Sequence, residues 1–299
     1  MRILFVTSSR IGDAVLSTGL LDHLLHVYPE ARFTVAAGPV TEGVFARMPR
    51  LERLILFDKR RGGLHWPLLW ATCAGTVWDL VVDIRASTLS WFLRARRRAV
   101  KRERGGHKTM QLAAMLGLTS APLPVAWTAP EDRARAATLL SPGSPVLALG
   151  PTANWGGKIW PPDRFVSLAR ALLAGPLAGA NVAVLAGPGE EERALAAPVL
   201  ESLPDAIDLV GKLTLPEAAA CLAGAALFVG NDSGLMQLAA AAGAPTLGLF
   251  GPTSAAEYAP AGRCTAVAAA RSPRMEDLSV EDAFSAASGL LTRGRLSVA

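Results

Sequence analysis

Residues 230–253 read GNDSGLMQLAAAAGAPTLGLFGPT, and the fold is decided there. The segment leading in, 225–230 (AALFVG), is short, apolar and uncharged, as expected of a strand buried on both faces. Asn231, Asp232 and Ser233 are residue types that cap helices. The Leu/Met/Ala run 235–242 predicts a helix, with Gly243 just past its end and Pro245 as a stop. Residues 246–250 return as a strand, and Gly251-Pro252-Thr253 forms a tight loop after it. A strand, a helix and a parallel strand leave a small-residue helix start at the carboxyl end of a sheet. Unpaired N–H groups and the helix dipole make such a place receptive to phosphate.

The same alternation extends outward in both directions. Toward the N-terminus, strands are expected at 2–7, 32–37, 51–57 and 79–84, with helices at 13–27, 40–48, 66–74 and 87–98. Residues 99–145 are less regular, with helices expected at 108–116 and 130–140 and a Pro-rich connector at 121–124. A second alternation follows: strands at 145–150, 181–186, 207–210 and 263–269, helices at 161–173, 190–200, 216–223 and 279–291. The pattern predicts an α/β protein of two doubly wound domains, 1–140 and 141–299, with a cleft between them. The last helix, about 279–291, is allowed to pack back on the first domain. Loops 7–13, 85–88, 150–158, 187–190 and 230–234 sit at the carboxyl ends of strands, where such folds bind ligands.

Composition narrows the classes. Of 299 residues 51% are hydrophobic, ample for a large core. No run predicts a spanning helix, and the N-terminus reads directly into a core strand without a secretion signal. Cys73, Cys221 and Cys264 lie scattered in apolar contexts without metal spacing, as expected of free thiols in a reducing compartment. His23, His26, His65 and His107 have no ligand spacing either, so no metal site is expected. Charge is uneven: residues 1–140 hold 20 Lys and Arg against 11 Asp and Glu, while 141–299 hold 10 against 14. The halves are expected to meet different partners.

Several residues carry possible chemistry. Asp13 follows Gly12 at a helix start, either as an ordinary first-turn acid or as a general base for a hydroxyl. Lys158 stands in the Gly-rich loop NWGGK, where a cation can neutralise a departing diphosphate. Thr152 and Asn154, in the same loop, offer phosphate hydrogen bonds. Glu190 follows Gly-Pro-Gly at a strand end, where a carboxylate can accept both ribose hydroxyls, or it belongs to a solvated first helical turn with Glu191 and Glu192. Ser233 and the N–H groups of Ser233 and Gly234 suit phosphate; Asp232 suits sugar hydroxyls or capping. The run 94–108 (RARRRAVKRERGGHK) places Arg94, Arg96, Arg97, Arg98, Lys101, Arg102, Arg104 and Lys108 against the single Glu103. It reads as a solvated basic face, or as a seat for an acidic acceptor or an anionic membrane surface. No nucleic-acid motif accompanies it. Residues 64–78 have no formal charge and carry Trp66, Trp70 and Trp78, which suits core packing or, with Leu on one helical face, a lipid interface.

Four pieces in order resemble glycosyltransferase family 9, the lipopolysaccharide heptosyltransferases. They are RILFVTSSRIGDAVLSTGLL, GPTANWGGKIWPPDRF, AGPGEEER and the stretch at 230–253. The resemblance implies two Rossmann-like domains of the GT-B type, the acceptor in the first and the nucleotide sugar in the second. It also implies inverting transfer without metal or cofactor, a nucleotide-diphosphate sugar serving as co-substrate, with ADP-heptose as the candidate donor. On that resemblance Asp13 is the general base and Lys158 the second catalytic residue. Thr152, Asn154, Glu190, Asp232, Ser233, Gly234 and Gln237 meet the donor; the family commonly has His where this chain has Gln237. Arg85, Arg94, Arg97 and Arg98 are expected at an acidic, lipid-linked glycan acceptor. The expected location is cytoplasmic, peripheral at the inner membrane, with no nucleic-acid partner. Two other readings stand beside this one: a non-catalytic nucleotide-sugar-binding protein of envelope assembly, and a nucleotide-sugar epimerase. A nicotinamide dehydrogenase is disfavoured because SSRIGD lacks G-x-G-x-x-G.

Overall fold

A computed structural model describes residues 1–58, 63–101, 105–140 and 143–296. Contacts divide it into two units, Met1–Trp127 and Thr128–Ala299.

The first unit runs β1 (Arg2–Val6), α1 (Ile11–Val27), β2 (Arg32–Ala37), α2 (Glu42–Phe45), β3 (Leu51–Leu56), α3 (His65–Cys73), β4 (Trp78–Asp83), β5 (Ala95–Val100) and α4 (Lys108–Ala113). Its five strands are all parallel, in the order β3-β2-β1-β4-β5. The β1/β4 boundary is the switch point, because successive strands build outward from it in opposite directions. α1 packs with α4. The chain after α4 crosses α1 at Gly19, where a Cβ would lie 2.5 Å from the Pro122 carbonyl oxygen. Thr18 Oγ1 fixes that crossing by accepting from the Val125 N–H at 2.9 Å. A second apolar layer joins Leu4, Val6, Ala36 and Val81 of the sheet to Leu69 and Cys73 of α3 and to Leu89 and Leu93.

The helix expected over 87–98 is not formed. Residues Thr88–Trp91 make one 3-10 turn, and the Arg-rich run becomes strand β5. Leu89 and Leu93 do have helical spacing, but both are buried in the layer beneath, one from the turn and one from the bend before β5. An edge strand pairs on one side only and tolerates charge on its open side, so the arginines can stand there. The three tryptophans of 64–78 do not share a helical face. Trp78 is a buried residue of β4 whose indole N–H donates to the Cys73 carbonyl; Trp66 is half-buried and Trp70 exposed.

The second unit runs α5 (Pro130–Leu139), β6 (Val146–Gly150), α6 (Pro162–Leu173), β7 (Asn181–Val184), α7 (Glu190–Ser202), β8 (Ile207–Asp208), α8 (Leu215–Ala223), β9 (Leu227–Asn231), α9 (Gly234–Ala241), β10 (Thr246–Phe250), α10 (Ala255–Tyr258), β11 (Thr265–Ala269) and α11 (Val280–Leu296). Six parallel strands lie in the order β11-β10-β9-β6-β7-β8, with the switch point between β6 and β9. α5 packs against α8, so it joins the second unit although it was expected to close the first. The last helix, for which packing on the first domain was allowed, lays its apolar side on α6, β10 and β11. Ala283, Ala287 and Leu290 are fully buried there, in the second unit's own core.

No described helix is long and apolar enough to cross a membrane. The three cysteines are free. Burial pushes the thiols of Cys73 and Cys221 up to about 11, so both are protonated and unreactive at neutral pH.

Candidate active site

In the second unit the loops after β6 and β9 flank the switch point, and the chain ties them together. Asn231, the last residue of β9, is wholly buried. Its amide N–H donates to the Pro151 carbonyl at 2.9 Å, and its carbonyl oxygen accepts from the Trp160 N–H at 3.0 Å. Both ends of the 151–160 loop are thereby fixed to β9. Trp160 is itself fully buried, edge-on to Phe165, with its indole N–H on the Leu278 carbonyl.

The fixed loop carries Thr152, Asn154 and Lys158, the last in a 3-10 turn over Gly156–Lys158. Lys158 Nζ lies 2.7 Å from Asp232 Oδ2, the residue just after Asn231. The carboxylate is buried and the ammonium mostly so, and solvent therefore screens this pair less than an ordinary surface ion pair. Two residues 74 apart in sequence, each expected at the donor, thus stand in contact. Ser233 caps α9, its Oγ accepting from the Met236 N–H at 3.3 Å. Gly234 is the first residue of α9, so the free N–H groups of that turn begin beside the Lys158–Asp232 pair. Glu190 opens α7, after Gly189 with φ +114, and is exposed at the end of the neighbouring strand β7.

Gln237 does not point its amide at this group. It is buried and its Nε2 donates to the Tyr258 carbonyl at 2.8 Å, while its Oε1 accepts from the Ala261 N–H at 3.4 Å. The side chain holds the turn after α10, which is a structural reason for a neutral amide at that position.

In the first unit Asp13 lies half-buried in the first turn of α1, after β1. Ser8 Oγ donates to its Oδ2 at 3.4 Å and accepts from the Arg10 N–H at 3.1 Å. Across the switch point, Asp83 closes the end of β4. Its carboxylate accepts from the N–H groups of Arg85 and Ser87 and from the Ser87 hydroxyl. Burial nevertheless outweighs those bonds and holds its carboxyl above the ordinary 3.8. This turn sets Arg85 with its guanidinium 5.4 Å from the Trp66 ring and 5.6 Å from that of Phe57, a cation–π arrangement at the carboxyl end of the sheet.

The other arginines expected at the acceptor are placed elsewhere. Ala95 pairs with Trp78 at the amino end of β4 and Val100 with Asp83 at its carboxyl end. Arg94 therefore lies at that amino end, away from Asp13 and Arg85, while Arg97 pairs with Leu80 and Arg98 with Val81 midway along β4. Arg98 gives its Nε, Nη1 and Nη2 donors to the carbonyls of Ser90, Ala95 and Leu93. Arg97 reaches the Tyr28 hydroxyl at 3.4 Å and Arg96 pairs with Asp79. Arg102, Glu103 and Arg104 lie outside the described residues. Among the described residues no group of three His, Cys, Asp or Glu side chains is arranged to hold a metal ion.

Sequence reasoning missed three contributors. Asn231 was read only as a capping type, Ser8 was not singled out, and Asp83 was read only as part of a strand. Their signal is positional: each stands in or beside the loop that follows a central strand.

Comparison with known proteins gives a family match and similar folds. The model of glycosyltransferase family 9 (heptosyltransferase) matches residues 73–287. A curated relative, lipooligosaccharide heptosyltransferase 2 of Haemophilus influenzae, is 27% identical over 87% of this chain and 86% of its own length. A solved family 9 glycosyl transferase from Veillonella parvula superposes with a TM-score of 0.82 at 21% identity, covering 98% of this chain and 97% of that one. The solved E. coli ADP-heptose lps heptosyltransferase II gives 0.81 at 20% identity, covering 99% and 100%.

Proposed function

The chain belongs to glycosyltransferase family 9 (heptosyltransferase), and from that membership we propose that it moves a heptose from ADP-heptose to an acidic, lipid-linked glycan of the lipopolysaccharide core. The reaction inverts the anomeric carbon and uses no metal. The first unit takes the acceptor and the second the donor. The observation that carries the reading is the Lys158–Asp232 pair beside the start of α9, at the switch point of the second sheet. The relatives support the choice of sugar: the E. coli protein of like fold is described as an ADP-heptose enzyme, and the H. influenzae relative as a heptosyltransferase.

Each side chain has a task in this reading. The acceptor hydroxyl oxygen attacks the anomeric carbon from the side opposite the diphosphate, and Asp13 takes its proton. The bond from that carbon to the diphosphate oxygen breaks, and the electron pair leaves with ADP. Lys158 turns from Asp232 to the diphosphate and neutralises the growing charge, together with the N–H groups of Ser233 and Gly234. Asp232, released from its partner, accepts sugar hydroxyls. Thr152 and Asn154 hydrogen-bond the phosphates, and Glu190 accepts the ribose hydroxyls. Arg85, stacked on Trp66 and Phe57, presents a fixed cation to an acidic group of the acceptor.

Thermal unfolding with a panel of nucleotide diphosphates and their sugars tests the donor. ADP and ADP-heptose raise Tm and UDP sugars do not. A shift with UDP sugars alone assigns another donor, and no shift with any of them removes the reading.

A further inference from the structure

The layer over one face of the first sheet is thin: α3 and the 3-10 turn over Thr88–Trp91. Its inner side is spent on the core, where His65, Leu69, Cys73, Leu89 and Leu93 are buried. Its outer side is also apolar. Leu64 is 62% exposed and Leu68 52%, one helical turn apart, with exposed Pro67, Ala71 and Thr72 on the same side. Trp91 is 66% exposed and Phe92 73%. The two elements touch, since the Trp70 indole N–H donates to the Phe92 carbonyl at 3.0 Å.

Two bulky aromatics held mostly in water cost free energy unless something apolar covers them. Charge points to the cover. Residues 64–78 contain no charged side chain, and 84–101 contain Arg85, Arg94, Arg96, Arg97, Arg98 and Lys101 with no acid at all. Arg94 follows the aromatic pair after the buried Leu93 and is exposed, as is Arg97 beyond it, while Arg96 is paired with Asp79. Apolar and aromatic side chains bordered by the exposed Arg94 and Arg97 match an anionic bilayer, whose headgroups attract the cations while the interface takes the rings. A second copy of the chain would instead set this basic border against itself.

We propose that the outer side of α3 together with Trp91, Phe92 and Arg94 is a docking surface for an anionic lipid bilayer. The α3 end of the surface reaches the acceptor loop of the same unit, because Trp66 stacks against Arg85, while Arg94 lies at its other end. A lipid-anchored acceptor is then met at the membrane by the unit that binds it. Lipid binding stands without glycosyl transfer, and its test does not depend on turnover.

The test is flotation of the full chain with vesicles of equal parts phosphatidylglycerol and phosphatidylethanolamine, against phosphatidylcholine alone. The chain floats with the anionic vesicles and is released by salt. The double variant Trp91→Ser, Phe92→Ser lowers the partition at least about tenfold, and Arg94→Gln lowers it less. Far-ultraviolet circular dichroism and the Tm shift with ADP remain those of the parent. A conservative variant gives a second readout: brominated acyl chains quench tryptophan emission of the parent, and Trp91→Phe removes a large part of that quenching. Absence of flotation with anionic vesicles overturns the proposal. So does equal flotation of the double variant, unchanged quenching in Trp91→Phe, or a concentration-dependent dimer that the double variant abolishes.

Discussion

The two units share one plan around their switch points, yet they finish the strand beyond it differently. β4 ends in Asp83 and β9 in Asn231, both fully buried. Asp83 accepts from its own loop, from Arg85, Ser87 and Ser90. Asn231 reaches across the switch point, donating to Pro151 and accepting from Trp160. The difference follows from the groups. An ionised carboxylate only accepts, so it closes a turn of N–H donors. An amide both gives and accepts, so it can join two strands' loops. The 151–160 loop of the second unit is thereby tied to β9 at both ends, and the loop after β4 is a self-contained turn that aims Arg85.

The largest effect that sharpens this contrast is on chemistry. Asp13→Ala, in the first unit, lowers turnover by about 10² to 10⁴, the usual range for a lost general base, while calorimetry finds donor affinity unchanged. Lys158→Ala, in the second, weakens both: turnover falls and the donor KM rises, each by about tenfold or more. Equal affinity in both variants would break the assignment of one unit to each substrate.

Asn231→Asp tests the amide tie itself. It removes the donor to Pro151 and places a carboxylate where the residue is wholly buried, costing about 2–4 kcal/mol in denaturant unfolding. The donor KM rises as well, because the loop bearing Lys158 loses an anchor. Stability equal to the parent would show that the two loops are not joined through Asn231.

The smallest effect is a pair of opposite pH dependences. In the fold Asp83 is held above 3.8, by burial first, with the bonds from Ser87 and Arg85 opposing. Its contribution to stability is complete below 3.8 and is lost as pH rises through the folded value. Asp208 of the second unit behaves in reverse. Burial works against its charge, but hydrogen bonds from Arg193, Lys212 and the Val210 N–H prevail and hold it below 3.8. Its contribution is present above 3.8 and is lost as pH falls. Urea midpoints between about pH 3 and about pH 7 check both. Asp83→Asn gains on the parent as pH rises past 3.8. Asp208→Asn loses on it over the same interval, by under about 1 kcal/mol because that pair is largely exposed.

The sequence disclosed the central strands well. ILFV, LVVD, VLALG and LFVGN are apolar runs between helices, and such runs fit only a sheet covered on both faces. It failed at the edge. Leu89, Leu93 and the arginines of 94–98 have the composition of a helix, and only pairing with β4 makes them a turn and a strand. In the strand Arg97 and Arg98 lie midway along β4, and Arg94 stands just before its amino end. At the site, Gly-rich loops and helix starts announced Lys158, Ser233 and Gly234. The direct pairing of Lys158 with Asp232 and the turning of Gln237 onto the 258–261 backbone depend on tertiary contacts that local pattern does not encode.

The most direct measurement is release of ADP from ADP-heptose by the full chain, in the presence of a chelator, with and without a lipopolysaccharide-core acceptor. The account predicts release that requires the acceptor, survives the chelator, yields the inverted glycoside and falls by about 10² to 10⁴ in Asp13→Ala. Release without acceptor, or full turnover in Asp13→Ala, would contradict it.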